Sequence, residues 1–183
     1  MNRKPDERAK KAFELGFKYE QDYGGCAQCT MAAVQNVLKS RNDDVFKAAT
    51  GLVGGIGLVG KGTCGALIGG GLALGYRFGR EYSNFADPKG TRYIACELVA
   101  QLYDRFLEEY GSGSCHDIQT KLFGRAYTLR DKKELEEFKK DGGHKDKCPT
   151  VVGKSAQWTV EMILEEEKKR KAKKAKKGKR ART

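Results

Sequence analysis

Residues 91–110 read TRYIACELVAQLYDRFLEEY, and this stretch decides the fold class. Ile94, Leu98, Val99, Leu102, Tyr103, Phe106 and Leu107 recur at spacings of three and four, a broad apolar stripe on one face of an α-helix. Gly111 stops it. The same helical spacing recurs on both sides, and few segments alternate as strands do. Upstream, a helix over about Asp6 to Gln21 carries Phe13, Leu15, Phe17 and Tyr19 and is broken by Gly24 and Gly25. A second begins near Cys26, with Met31, Val34, Val37 and Leu38 on one face. Asn42 caps a short third. After the glycine-rich loop from Gly51 to Gly62, Thr63 is expected to cap a small-residue helix from Cys64 to about Phe78. Downstream, Ser114 caps a helix from Cys115, another covers Asp131 to Lys140, and the last opens at Cys148-Pro149. The reading is all-α: a compact multi-helix bundle of about seven or eight helices, with a glycine-rich loop and a basic C-terminal tail.

Length and charge narrow the classes. A chain of 183 residues buries a real core in one domain without disulfide staples. The formal charge of +12 is misleading, because residues 168–183 hold eleven basic residues and no acidic one. The remainder carries 25 basic residues against 24 acidic ones. The expected organisation is a helical body over 1–167 and a basic, mobile tail over 168–183. That tail can touch nucleic acid or anionic surfaces through counterion release, but it has no interleaved aromatics for base stacking. The charged N-terminus lacks an apolar signal region, so the chain reads as cytoplasmic. Lys61 and the surrounding glycines break the longest apolar stretch, so no membrane span is expected.

In a cytoplasmic chain, cysteines more often bind metal or do chemistry than form disulfides. Four of the six stand where a helix begins: Cys26, Cys64, Cys115 and Cys148. Helix N-termini offer free N–H donors and partial positive charge, both of which favour a thiolate. Four such sulfurs can converge on a metal cluster or act as redox thiols. Cys26 and Cys29 also form a CxxC pair, so Cys26, Cys29 and Cys64 are the thiol candidates. Cys96, between Ile94 and Val99, reads as a buried packing residue, and His116 and His144 read as solvated surface groups.

Other motifs carry less. Gly55 to Gly60 spells GxGxxG, but no strand precedes it and no βαβ unit surrounds it. As a P-loop it fails at Gly62, where serine or threonine should ligate magnesium. Thr30 replaces the histidine of a haem-attachment motif after Cys29, and Ser112 replaces the first cysteine before Cys115-His116, so no haem is expected.

The chain resembles the redox-active proteins named for a C…CGAxxG…C…C arrangement. The resemblance rests on Cys26-Ala27-Gln28, on Cys64-Gly65-Ala66-Leu67-Ile68-Gly69, on Gly113-Ser114-Cys115 and on Cys148-Pro149, and covers about Gly16 to Met162. The pattern is also similar to a region of split-Soret cytochromes c in which cysteines hold an iron–sulfur centre, although this chain lacks their CxxCH motifs. The resemblance implies a redox function for the same four cysteines; Cys29, Cys96 and the tail lie outside it.

Three chemistries stay open at this point. The leading one is electron transfer through an iron–sulfur centre held by Cys26, Cys64, Cys115 and Cys148, with Gly62, Thr63, Gly65 and Ala66 letting backbone approach it. The second is metal-free thiol–disulfide redox through Cys26 with Cys29 or Cys64. Zinc fits less well, because four-cysteine zinc sites usually come as close pairs. Outside redox, a binding module with a docking tail is the alternative. A redox partner is expected without being identified, and a centre shared at an interface would make the protein a homodimer.

Overall fold

The computed structural model describes residues 6–180, with side chains through Lys176. It consists of α1 (Glu7–Tyr23), α2 (Cys26–Leu38), α3 (Asp43–Ala48), α4 (Gly65–Phe78), α5 (Arg92–Tyr110), α6 (Cys115–Phe123), α7 (Lys132–Lys140) and α8 (Cys148–Arg180). No strand occurs among the described residues. Residues 1–5 and the last three of the expected basic tail lie outside them. No helix of the described residues is long and apolar enough to cross a membrane.

Local chemistry sets most boundaries. Asp6 accepts the Arg8 N–H at 3.0 Å to open α1, Asn42 accepts the Val45 N–H at 2.9 Å to open α3, and Asp131 accepts the Glu134 N–H at 3.0 Å to open α7. Gly24, Gly111 and Gly124 close α1, α5 and α6 with positive φ. Helix α4 starts one residue later than expected, with Cys64 rather than Thr63 at its cap. The backbone on either side of Thr63 is held in an antiparallel bridge: the Cys64 N–H donates to Gly113 O at 2.8 Å and the Cys115 N–H to Gly62 O at 2.9 Å. The chain therefore turns helical only at Gly65.

Helix α8 is the centre, packed on α1, α2 and α4, while α2 packs on α4 and α4 on α5. The main core holds Met31, Val34, Leu74, Leu98, Leu102, Phe106, Val152, Val160 and Ile163. On α1 the buried residues are not the large apolar ones of the sequence reading. They are Ala9, Ala12, Gly16 and Glu20, while Phe13, Leu15, Phe17 and Tyr19 are half-buried. The reason is the closeness of α1 to α8: a Cβ on Gly16 would stand 3.2 Å from Val152 O and 3.4 Å from Gly153 Cα. Cys96 is exposed, which corrects its reading as a packing residue. Ala95, Leu98 and Leu102 take the core side of α5 and turn position 96 outward.

Helix α8 continues unbroken through the basic run, and Arg170 still belongs to the packed part, 4.6 Å over the Phe78 ring and bonded to Glu166. Side chains from Lys171 to Lys176 are exposed.

A second, smaller cluster of Tyr127, Leu129 and Phe138, with Phe123 and Leu135 against it, joins α6 to α7. Phe138 is 2% exposed and meets Phe123, Tyr127 and the His144 ring with centroids 5.4, 5.6 and 5.2 Å away. Phe138→Ala empties this cluster and should cost about 3–5 kcal/mol, read as a lower denaturant midpoint.

Candidate functional site

The four helix-start cysteines line one cavity of about 270 Å³. Cys26 is the first residue of α2, Cys64 the cap of α4, Cys115 the first residue of α6 and Cys148 the first of α8. Four helix N-termini thus meet at one place. The backbone bridge at Thr63 and Ser114 brings the Cys64 and Cys115 loops together, and the α2, α4 and α8 packing brings in the other two.

Hydrogen-bond donors are already aimed at the sulfurs. The Ala66 and Leu67 N–H groups of the first turn of α4 oppose the rise of the Cys64 thiol, and the Gly54 N–H that of Cys26. Gln119 Nε2 donates to Cys115 Sγ at 3.3 Å, while its Oε1 accepts the Tyr127 N–H at 2.9 Å and so fixes the amide orientation. Gly65 has no room for a side chain: a Cβ there would land on Cys26 Sγ and stand 3.0 Å from Leu52 O. Of the other positions expected to admit a cofactor, Ala66 lines the cavity, whereas Gly62 and Thr63 do not and act through the backbone bridge.

The glycine-rich loop lies over the site, contributing Val53, Gly54 and Leu58 to the cavity wall. It is folded on itself by Gly57 N–H to Gly51 O at 2.8 Å and Gly60 N–H to Gly54 O at 2.9 Å. Ile56 and Leu58 both adopt φ +65°, a costly conformation for branched side chains. Its GxGxxG letters therefore serve a cover over sulfur atoms.

Burial works against the expected bias toward thiolate. Burial pushes the Cys64 thiol up to about 12 from the ordinary 9.0, with Cys115 adding to it and the Ala66 and Leu67 N–H groups opposing. Cys26 and Cys148 lie well above 9.0, from burial first and the Glu20 charge second. Cys115 is raised by burial and held back by Gln119. A helix terminus contributes about 0.3–1 kcal/mol near the surface, while burying a charge costs several. A quartet of thiolates thus needs a cation bound among them to exist.

The sign for stability follows. The folded state holds these protons more tightly than the unfolded chain, so their contribution is full below pH 9 and is lost as pH rises toward 12. Metal-free, reduced protein should lose stability across that window in urea titrations. At pH 8 a thiol reagent should label exposed Cys96 first, and buried Cys29, Cys64 and Cys115 only on unfolding.

Cys29 is buried but does not line the cavity; its thiol donates to Gly24 O at 3.0 Å within the core. Burial and Glu20 push it upward as well. His116 is solvated, as expected, beside Asp117 at 3.1 Å. His144 is not: it is half-buried and lines the cavity, with Nδ1 3.4 Å from Glu20 Oε1. Sequence reasoning misses Glu20, which also lines the cavity at 2% exposure. Its signal is its place on the Ala9, Ala12, Gly16 stripe, spaced three, four and four, which puts a carboxylate on the buried face.

Among the described residues, no group of three or more His, Cys, Asp or Glu side chains is placed to hold a metal ion. No curated protein and no solved structure matches this chain. Residues 25–162, which span Cys26, Cys64, Cys115 and Cys148, match the family described as "Putative redox-active protein (C_GCAxxG_C_C)", and the chain belongs to that family.

Proposed function

We propose that the protein transfers electrons through an iron–sulfur centre that Cys26, Cys64, Cys115 and Cys148 would hold. The observation that carries this reading is that four cysteines far apart in sequence, each at a helix N-terminus, line one cavity. The donor set suits the group: four thiols are the usual ligands of such centres. The cavity of about 270 Å³ and the Gly65 cradle leave space beside the sulfurs, and four singly placed cysteines fit the paired template of a four-cysteine zinc site poorly. When bound, the centre supplies one-electron chemistry at a potential set by surrounding charge and hydrogen bonds.

The chain's own residues would do the rest. Gln119 donates to the Cys115 sulfur and would draw negative charge from it, which favours the reduced state. Leu58, Leu129, Phe138 and Val152 exclude water from the cavity wall. The metal-free dithiol reading is weakened by two facts: Cys29 faces the core and not the cavity, and no candidate thiol is lowered toward neutral pH. Anaerobically purified protein should contain iron and acid-labile sulfide and show visible absorption that reductant bleaches. Zinc in their place, or reactive thiols with no metal, would overturn the reading.

A further inference from the structure

We propose that the basic end of α8 is a docking arm for double-stranded DNA, seated in the major groove without reading its sequence. The arm lies apart from the cysteine cavity and does not depend on what that cavity holds. Charge is divided sharply along the chain: residues 168–183 hold eleven basic residues and no acidic one, against 25 basic and 24 acidic residues in the rest. Arg170 marks the end of the packed part, 4.6 Å over the Phe78 ring and bonded to Glu166 at 3.1 Å. Beyond it α8 stays helical to Arg180. Lys171, Lys173, Lys174 and Lys176 are exposed there, and among the described residues none of the four takes part in an ion pair. Glu166 and Glu167, the acids of α8 nearest the arm, are already taken by Arg170 and Arg77.

The placement of these charges selects the partner. A helix turns by about 100° per residue, so the four lysines fall at about 0°, 200°, 300° and 140° around its axis. Only the sector between them that holds Ala172 and Ala175 carries no charge. Such a helix suits a groove walled by negative charge on both sides. The major groove of B-form DNA is about 12 Å wide and an α-helix with its side chains about 10–12 Å across. The alanine side would face the base edges, where a methyl group offers no hydrogen bond, and the lysines would meet phosphates on both walls. Charge then holds the arm in place, and no base is specified.

A lipid surface fits worse. It meets one side of a helix and leaves the lysines of the other side in water, and it holds best a helix with large apolar side chains to insert. The uncharged side of this arm presents two methyl groups. Duplex RNA is also a poorer match, because its major groove is deep and narrow.

The test is the anisotropy of a fluorescent DNA duplex titrated with the full chain across a salt series. Four phosphate contacts give a slope of log K against log salt of about −3.6, so the full chain should show that slope or a steeper one. Duplexes of unrelated sequence should bind alike. A variant ending at Arg170 keeps the packed part of α8 and should bind at least tenfold more weakly. Should that variant lose helix content in the body, the combined change Lys171→Gln, Lys173→Gln, Lys174→Gln and Lys176→Gln makes the same comparison in the full-length chain. Ala175→Pro keeps every charge and breaks the helix, and should bind at least threefold more weakly. Vesicles of phosphatidylserine and phosphatidylcholine, and duplex RNA, should be bound less tightly than duplex DNA at equal salt. Undiminished binding without the basic side chains would overturn the arm. Undiminished binding by Ala175→Pro, or vesicle or RNA binding as tight as that of DNA, would overturn docking in the groove. Failure of either leaves the iron–sulfur reading untouched, because none of these readouts involves the cavity.

Discussion

On the proposed iron–sulfur reading, Cys64→Ser is expected to remove iron, sulfide and visible absorption from the purified protein and to leave the helical fold in place. Cys64 is the most informative of the four because its two roles separate cleanly. It occupies the N-cap position of α4, where serine is among the best residues. As a proposed ligand it would supply a sulfur that serine lacks. Bound iron should fall at least tenfold, while circular dichroism and the urea midpoint of the metal-free form stay near those of the metal-free wild type. Iron retained at the wild-type ratio would show that Cys64 is not a ligand. Loss of the fold in the absence of metal would show that the sulfur is structural.

Gly65→Ala has the second large effect, and its sign is opposite to helix propensity. An alanine in a helix is ordinarily worth about 0.5–1 kcal/mol over glycine. At position 65 the new Cβ would clash with Cys26 Sγ and press on Leu52 O at 3.0 Å and Ala27 N at 3.2 Å. Overpacking of this kind costs about 1–3 kcal/mol. The variant should unfold at lower denaturant and bind little iron, because Cys26 is displaced from the cavity. Gly75→Ala, on the same helix with nothing within 4 Å of its Cβ, is the control and should gain stability. Equal gains at both positions would mean that the close approach at Gly65 is not real.

The periodic and capping signals are legible in the amino-acid sequence itself. The α5 stripe, the Asn42 and Asp131 caps and the glycine stops are local features, decided within a turn or two of the chain. The helix-start placement of Cys26, Cys64, Cys115 and Cys148 is legible for the same reason, within one residue at Cys64. Features that depend on distant neighbours are not. The large apolar residues of α1 show no clear face, and its contact with α8 is made by small ones. Cys96 misleads because Ala95, also small, holds the core position. The charge state of the thiols is hidden because a helix terminus is visible in sequence and burial is not. Glu20 and His144 meet across more than half the chain, and no spacing rule joins them.

The most direct test is a crystal structure of anaerobically purified protein with diffraction recorded above and below the iron edge. The account predicts a strong anomalous peak inside the cavity, bounded by density continuous to the sulfurs of Cys26, Cys64, Cys115 and Cys148. A cavity without iron signal, or iron bound by a different set of residues, would contradict it.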